Sequence, residues 1–239
     1  MNYGCKVADQ IIAISRQTKS DLIEFLNINE NKIEVVYQSC NTSFYDNVGR
    51  EEREVIRKKY DFPKEFILYV GTIEKRKNLL SIVRAINEYN IDMPLVAIGR
   101  PGDHIKEVKA YIDKHNMTER VIIDHNVETA DLPAIYQMSV LFVYPSVFEG
   151  FGIPIIEALN SKTPVISSKG GCFQEAGGPD SIYIDPDNTE ELANEIKKVL
   201  SDNTLQERMI INGYEFVQKF RDENIANNLA EVYETCIKR

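Results

Sequence analysis

The sequence predicts an α/β fold in which helices cover both faces of a doubly wound parallel sheet. From Phe66 onward, short and nearly continuous apolar runs alternate with amphipathic helical patterns. Parallel strands that are buried on both faces produce such runs, and regular alternation of strands with helices is typical of a parallel sheet. The composition agrees, because 43% hydrophobic and 27% charged residues are ordinary values for a globular chain.

The first part of the chain predicts two strands and one helix. The runs "ADQIIAIS" and "KIEVVYQ" read as strands, and "RQTKSDLIEFLN" reads as a helix with Ser15 as its N-cap. Residues 1–45 are too few to bury a core by themselves, so we expect them to be the remnant of another domain. The polar and charged residues 46–61 predict a linker that ends in a short helix.

Residues 62–204 predict one complete doubly wound domain of ordinary size. The predicted strands are "FILYVG", "PLVAIG", "VIID", "VLFVYP", "PVISS" and "IYIDP". The predicted helices are "NLLSIVRAINEY", "IKEVKAYIDKH", "DLPAIYQM", "PIIEALNS" and "NTEELANEIKKVLSD". Residues 205–239 keep apolar side chains at helical spacing and predict C-terminal helices.

Charge and residue usage exclude several classes of function. A net charge of -9 argues against a nucleic-acid groove or an anionic membrane patch. The sequence has neither a membrane-spanning apolar run nor signal-peptide architecture, which predicts a cytoplasmic chain; attachment to the inner face of a membrane stays open. Four scattered cysteines and three histidines lack metal-ligand spacing, so we expect no metal site and expect the histidines at the surface.

Two glutamates flank a glycine-rich turn in the stretch "YPSVFEGFGIPIIEALN". Glycines before Pro154 let the backbone approach a ligand, and the amino end of the helix that follows favours an anion. In open α/β sheets, such sites lie outside the carboxyl ends of the strands, and diphosphate is a natural ligand there. Glu157, about one turn into the helix, could accept hydrogen bonds from a ribose diol. Glu149 would lie near the group on the far phosphate.

A second cationic element strengthens the phosphate interpretation. In "YVGTIEKRKNLL", Gly71 ends a strand, and Arg76 and Lys77 lie in the loop before the next helix. Positive side chains in such a loop can clamp phosphates, although a solvated basic loop is the common alternative. Arg100, in the similar loop "IGRPGD", is a weaker candidate. No G-x-G-x-x-G follows the first strand of either segment, which disfavours a dinucleotide dehydrogenase.

These segments together resemble the retaining glycosyltransferases of the GT-B fold, family four (glycosyl transferases group 1). The first helix and strand resemble the end of that family's N-terminal domain, and the rest resembles its C-terminal, Rossmann-like donor-binding domain. The closing stretch "KFRDENIANNLAEVYE" resembles the helix that crosses back to the N-terminal domain. The variant "VGTIEKRKN" particularly resembles bacterial mannosyl- and related transferases that build surface polysaccharides.

The resemblance implies roles for most of the candidate residues. Lys77 pairs with the donor diphosphate, with Arg76 nearby, and Glu149 contacts the donor sugar while Glu157 binds the ribose. The other implied contacts come from the backbone of Phe151, Gly152 and Ile153, to phosphate and sugar, and from the main chain at Asn126 and Val127, to the base. Gly71, Thr72 and Arg100 are candidates because they lie at strand ends. Relatives often carry arginine at the position of Thr72, so neutralisation of the phosphates would depend more on Lys77.

The implied donor is a nucleotide-sugar such as GDP- or UDP-hexose, and no metal or other cofactor is implied. A glycan or lipid-linked acceptor would bind through the N-terminal domain, most of which we expect to be missing from this sequence. Two alternatives stay open: a nucleotide-sugar-binding subunit that is inactive without a partner domain, and a sugar-nucleotide epimerase of the GT-B fold. Glu175, in "KGGCFQEAGG", is predicted to be structural.

Overall fold

The computed structural model describes residues 2–237 and contains eight parallel strands within that range. The strands are β1 (Ile11–Ala13), β2 (Ile33–Val35), β3 (Ile67–Val70), β4 (Leu95–Ile98), β5 (Val121–Asp124), β6 (Leu141–Tyr144), β7 (Val165–Ser168) and β8 (Ile182–Ile184). The last six form one sheet in the order β5-β4-β3-β6-β7-β8. This arrangement confirms the predicted doubly wound parallel sheet.

Eleven α-helices surround the strands within the described range. They are α1 (Asn2–Val7), α2 (Arg16–Leu26), α3 (Arg50–Lys59), α4 (Leu79–Glu88), α5 (Ile105–Lys114), α6 (Leu132–Met138), α7 (Ile153–Asn160), α8 (Phe173–Gly177), α9 (Thr189–Ser201), α10 (Asn203–Val217) and α11 (Asp222–Ile237). Every predicted helix is present. The sequence interpretation missed α1 and α8, because both are too short to show a helical apolar period, and glycines flank α8.

Alternate residues of each central strand enter different cores. On β3, Ile67 packs into the core beneath α4, α5 and α9, whereas Leu68 packs into the core beneath α6 and α7. This alternation is the period of an extended strand. Because both cores are apolar, the strands are buried on both faces and only the sheet edges and strand ends reach polar surroundings.

The strand order reverses between β3 and β6, which determines where a ligand site can form. β3 pairs with β4 on one side and with β6 on the other. The chain leaves β3 for the α4 face and leaves β6 for the α7 face, so a crevice opens between the two strand ends. Such topological switch points are the usual ligand sites of open α/β sheets.

The N-terminal unit, which we define as residues 2–45, packs directly against this crevice. Its strands pair in parallel, with Ile11 opposite Ile33. Ser15 caps α2 as predicted, because its Oγ accepts the N–H of Thr18 at 2.9 Å. The Ser15 hydroxyl also donates to the carbonyl of Gly150 at 2.7 Å. The N-terminal unit is therefore tied to the loop that carries Glu149.

One predicted surface residue is buried. His104 is only 7% exposed, so the prediction of a surface position is wrong for this histidine. It stands at the start of α5, where its N–H donates to the carbonyl of Ile73 at 3.3 Å and its Nε2 lies 3.0 Å from Glu107. The turn before α5 is thereby packed under the neighbouring loop. None of the helices in residues 2–237 has the length and apolar character needed to cross a membrane.

Candidate functional site

A pocket of about 240 Å³ lies at the switch point, at the carboxyl ends of β3 and β6. It combines side chains from both strand ends, the amino end of α7 and two residues of the N-terminal unit. The lining residues are Ile14, Gln38, Lys77, Tyr144, Glu149, Gly150, Phe151, Gly152, Ile153 and Pro154. The structure therefore brings together five predicted site residues: Lys77, Glu149, Phe151, Gly152 and Ile153.

Lys77 points into this pocket and away from bulk solvent. It ends a short 3-10 helix that follows β3, and only 15% of its side chain is exposed. Its Nζ donates to the Tyr144 hydroxyl at 3.0 Å and lies 3.6 Å from Oε1 of Glu149. Gly71 leaves room for the lysine stem, because a Cβ there would lie 3.2 Å from the Lys77 Cδ.

Glu149 is anchored through one of its two oxygens. Oε1 accepts the Tyr144 hydroxyl at 2.8 Å and the Ser146 hydroxyl at 2.9 Å, and it pairs with Arg76 at 2.8 Å. Within residues 2–237, no hydrogen bond is made to Oε2. One carboxylate oxygen is thus held in place while the other is open to a ligand.

Electrostatics keep the Glu149 carboxylate ionised. Burial opposes ionisation, but the Arg76 guanidinium, the Lys77 charge and the two hydroxyl donors outweigh it and hold the pKa of Glu149 below its usual range. In the absence of a ligand, Glu149 therefore acts as the counter-ion for Arg76 and Lys77. A bound anion would replace part of this neutralisation.

Arg76 lies at the rim between two cavities. Besides Glu149, its guanidinium contacts the carbonyl of Phe148 and lies 3.3 Å from the Glu74 carboxylate. It also lines a neighbouring pocket of about 490 Å³ together with Lys75 and His104. Arg76 thus divides its contacts among two carboxylates, one carbonyl and the lining of a second pocket.

The amino end of α7 faces the pocket with backbone donors. Gly152 is the N-cap, with φ 130°, a conformation that L side chains rarely adopt. Its carbonyl accepts the N–H groups of Ile155 and Ile156, whereas the first N–H groups of a helix have no partner inside it. The helix begins at Ile153, so Pro154 occupies its second position, one residue later than the predicted first position. Proline is compatible with both positions.

Glu157 does not line the pocket. Its Oε2 accepts the Tyr136 hydroxyl at 3.0 Å, and the side chain is partly buried. Burial raises the pKa of Glu157, and the hydrogen bond from Tyr136 only partly opposes that shift. The Phe151 ring is likewise directed into the core, where it stacks on Tyr37 with ring centres 5.3 Å apart. Only the backbone of Phe151 is therefore available to a ligand.

Seven predicted residues do not line the pocket: Gly71, Arg76 and Glu157, described above, and also Thr72, Arg100, Asn126 and Val127. The carbonyl of Thr72 accepts the Tyr69 hydroxyl at 3.2 Å, and Arg100 is exposed at the end of β4. Asn126, whose N–H donates to Asp124 at 2.7 Å, is exposed, and Val127 packs against the α7-side core. The last four residues follow β3, β4 and β5, so they lie along the same sheet edge as the pocket, and their predicted contacts remain predictions.

The raised pKa of Glu157 gives a pH-dependent stability prediction. A carboxyl whose pKa is raised by folding destabilises the folded state once pH exceeds that pKa, and it has no such effect below the unfolded pKa of about 4.3. The groups facing it, the Tyr136 hydroxyl and the Cys40 thiol, are neutral. We expect Glu157→Gln to raise the melting temperature at pH 8 and to leave it unchanged near pH 4. Differential scanning calorimetry would check this, with the exposed Glu215→Gln as the matched control. An equal effect at both pH values would contradict it.

Glu175 joins the N-terminal unit to the sheet. Its carboxylate accepts the N–H groups of Arg16 and Gln17 at 2.8 and 3.0 Å and the hydroxyl of Tyr37 at 3.1 Å. It therefore supplies acceptors for the first turn of α2, as a capping side chain does. These contacts support the predicted structural role.

Removal of the Glu175 carboxylate should destabilise the chain without changing ligand binding. We expect Glu175→Ala to lower the free energy of unfolding by about 2 kcal/mol, because three donors lose their acceptor. The melting temperature should fall by about 4–8 °C, while nucleotide affinity stays within twofold of the parent chain. The exposed Glu119→Ala should leave both unchanged. A nucleotide affinity lowered tenfold in Glu175→Ala would instead place this residue in the site.

Sequence reasoning missed two residues that hold Glu149, namely Tyr144 and Ser146. Both stand in the stretch that carries the two glutamates, so proximity in sequence was an available signal. Tyr144 closes an otherwise apolar strand, where an aromatic side chain is ordinarily part of the core. Ile14 and Gln38 were also missed, because their positions depend on how the N-terminal unit packs.

Known proteins share both the sequence pattern and the fold. The profile of the family described as "Glycosyl transferases group 1" matches residues 52–216. Over 231 residues, the chain is 26% identical to the O-antigen chain mannosyltransferase B of Escherichia coli, covering 95% of this chain and 61% of that protein. It is 27% identical over 199 residues to the O-antigen chain mannosyltransferase RfbU of Salmonella typhimurium, covering 83% and 53%. The chain thus spans between half and two thirds of these relatives.

Solved structures show the same architecture. A glycosyltransferase from Rickettsia africae superimposes with a TM-score of 0.89 at 24% identity, covering 100% of this chain and 68% of that one. Anabaena Alr3699/HepE in complex with UDP-glucose superimposes with a TM-score of 0.88 at 19% identity, covering 98% and 66%. These similarities confirm the predicted Rossmann-like fold of the GT-B class. Since the family profile spans most of the chain, the protein belongs to the glycosyl transferases group 1 family.

Proposed function

We propose that this chain is the donor-binding part of a retaining glycosyltransferase that moves a hexosyl group, mannosyl in the first instance, to a glycan or lipid-linked acceptor. The observation that carries the proposal is the convergence of Lys77, Glu149 and the amino end of α7 on one pocket at the switch point. A cation, a carboxylate and free backbone donors are the groups that a diphosphate with an attached sugar requires.

The donor diphosphate is assigned to the space between the Lys77 ammonium and the N–H groups of Phe151, Gly152 and Ile153. As the sugar departs, negative charge grows on the leaving phosphate. A fixed ammonium and oriented amides stabilise that charge in a site with little water, so no metal is needed for this step. When the diphosphate binds, Lys77 exchanges its partial pairing with Glu149 for the phosphate.

Glu149 is assigned to the donor sugar. Its low pKa makes it an acceptor at neutral pH, and the unengaged Oε2 can receive a sugar hydroxyl. Glu157 is assigned to the ribose diol, which it reaches by giving up the Tyr136 hydroxyl. The main chain at Asn126 and Val127 is assigned to the base.

The remaining predicted residues complete the phosphate side of the site. Gly71 and Thr72 form the turn under the lysine, and Arg76 and Arg100 add positive potential at the rim. Acceptor recognition is assigned to the first domain of a two-domain arrangement, of which residues 1–45 form a part. The names of the relatives support this class of reaction: two are O-antigen chain mannosyltransferases, and one structural neighbour holds UDP-glucose.

A panel of nucleotide-sugars tests the proposal directly. The 239-residue chain is mixed with GDP-mannose, UDP-glucose, an ADP-sugar and a CMP-sugar, and its melting temperature is measured, with inorganic pyrophosphate as a comparison. A ligand present at a hundredfold its Kd adds about 2.7 kcal/mol of stability, which corresponds to about 5–10 °C for a chain of this size. No shift with any nucleotide-sugar contradicts donor binding. Conversion of a nucleotide-sugar to its epimer without acceptor contradicts the transferase assignment.

A further inference from the structure

Tyr144 is a buried residue whose hydroxyl alone reaches the pocket. It is the last residue of β6 and only 1% exposed. Its ring stacks on Phe142 with ring centres 5.8 Å apart and lies 6.5 Å from the ring of Tyr69. A phenylalanine would provide the same packing. The hydroxyl therefore adds something that the core does not require.

The hydroxyl connects Lys77 to Glu149 in a fixed direction. Lys77 Nζ lies 3.0 Å from the hydroxyl oxygen, and that oxygen lies 2.8 Å from Oε1 of Glu149. An ammonium can only donate and a carboxylate can only accept, so the tyrosine oxygen accepts from Lys77 and its proton goes to Glu149. Burial and the neighbouring carboxylate raise the pKa of Tyr144, which keeps that proton in place.

Without this hydroxyl, the two charged groups would meet directly. Nζ and Oε1 are 3.6 Å apart, and the exposed fraction of the side chain is 15% for Lys77 and 14% for Glu149. The flexible lysine stem could close that distance into a direct ion pair, which is strengthened by partial burial. A closed pair would engage the ammonium and shift the carboxylate, so both would be lost to a ligand.

We propose that Tyr144 is a positioning residue that holds the Lys77 ammonium, assigned to the donor diphosphate, in a fixed relation to the Glu149 carboxylate, assigned to the donor sugar. This inference rests on the proposed function. Tyr144 does not itself contact the reacting atoms. It keeps the lysine and the glutamate from collapsing onto each other, so that the site is ordered before the donor arrives.

The first test is Tyr144→Phe, measured by calorimetric titration with GDP, GDP-mannose, UDP and UDP-glucose. Loss of a hydrogen bond to a charged group predicts affinity about tenfold weaker for whichever nucleotide binds the parent chain. The advantage of the nucleotide-sugar over the bare nucleotide should also shrink, because Glu149 is displaced. Tyr183→Phe is the matched control: its hydroxyl donates to the carbonyl of Gly178 on β8's side of the sheet, and we expect its affinity within twofold of the parent. Unchanged affinity in Tyr144→Phe overturns the inference.

A double-mutant cycle separates positioning from simple structural damage. If Tyr144 acts through Lys77, adding Tyr144→Phe to the Lys77→Ala variant should weaken nucleotide binding by less than twofold. The same tenfold loss in both backgrounds would show that the tyrosine acts independently of the lysine and would overturn the inference.

Lysine labelling tests the positioning without any nucleotide. Acetylation by a water-soluble reagent, read by mass spectrometry, should modify Lys77 about threefold more slowly in Tyr144→Phe, because the ammonium closes into a direct ion pair with Glu149 that favours the unreactive protonated amine. Exposed Lys109 should react at the same rate in both chains. An unchanged acetylation rate of Lys77 would overturn the inference even if nucleotides bind. A parent chain that binds none of the nucleotide-sugars in the full GDP, UDP, ADP and CMP panel contradicts the proposed function, while the labelling result still decides the role of Tyr144.

Discussion

Lys77→Ala is expected to weaken nucleotide binding about 100-fold and to abolish the nucleotide-induced rise in melting temperature. The ammonium is the most buried cation at the pocket, and a charge-assisted hydrogen bond of this kind contributes about 1.5–3 kcal/mol. Two further effects add to the loss. Partial burial limits screening by water, and removal of the lysine leaves Glu149 with less positive charge opposite an incoming diphosphate. Calorimetric titration of the parent and the variant with the same nucleotide measures the effect.

The matched control for this substitution is Lys109→Ala on the exposed face of α5, which also removes one positive charge. We expect its nucleotide affinity to match that of the parent chain, because net charge acts weakly over distance at physiological salt. The melting temperature of Lys77→Ala without ligand should change little, since the lysine sits at a pocket and not in a core. A Lys77→Ala chain that binds nucleotide within threefold of the parent would refute the assignment of the diphosphate to this lysine.

Gly99→Ala is expected to have the largest effect on stability. The carboxyl ends of β3 and β4 approach each other so closely that a Cβ on Gly99 would lie 1.9 Å from the carbonyl oxygen of Gly71 and 2.6 Å from its carbonyl carbon. Both atoms belong to the backbone, so no rotamer change relieves the clash, and the strand ends must separate. We expect a loss of about 3 kcal/mol or more in the free energy of unfolding, or about 6–12 °C in melting temperature.

The same displacement should reach the pocket, because Gly71 begins the turn that leads to Lys77. Urea unfolding gives the change in free energy, and nucleotide titration of the fraction that stays folded should show weaker binding. Gly49→Ala is the matched control, since a Cβ there meets no atom within 4 Å and the loss of an N-cap glycine should cost no more than about 1 kcal/mol. If Gly99→Ala unfolds at the same urea concentration as Gly49→Ala, the close approach of the two strand ends is wrong.

The fold was predictable because its signals are local. Strands such as β3 and β6 are apolar runs bounded by turn residues, and helices such as α4 and α9 carry clear amphipathic spacing. The alternation of the two leaves little choice of architecture, since parallel strands need crossover helices. The elements that were missed, α1 and α8, are short and gain their stability from packing, which the local pattern does not record.

The site was predictable in part, and its limits have the same cause. Lys77, Glu149 and the turn before α7 follow strand ends, so chain topology alone places them at one edge of the sheet. Tyr144 was not recognised, because an aromatic residue in an apolar strand is ordinarily part of the core. The inward turn of Glu157 toward Tyr136 depends on side-chain packing between α6 and α7. Such packing is set by contacts between segments that are distant in sequence, and the sequence pattern carries no record of it.

The anchoring of Glu149 through a single carboxylate oxygen has a thermodynamic consequence. Three neighbours, Tyr144, Ser146 and Arg76, fix the orientation of the carboxylate through Oε1, while Oε2 accepts no hydrogen bond from residues 2–237. A sugar hydroxyl that binds Oε2 meets an acceptor that is already fixed. The conformational entropy of the Glu149 side chain is therefore lost during folding and not during ligand binding. Under the proposed function, selectivity among hexoses would follow from the fixed position of Oε2, since a hydroxyl of the wrong configuration would not come within hydrogen-bond distance of it.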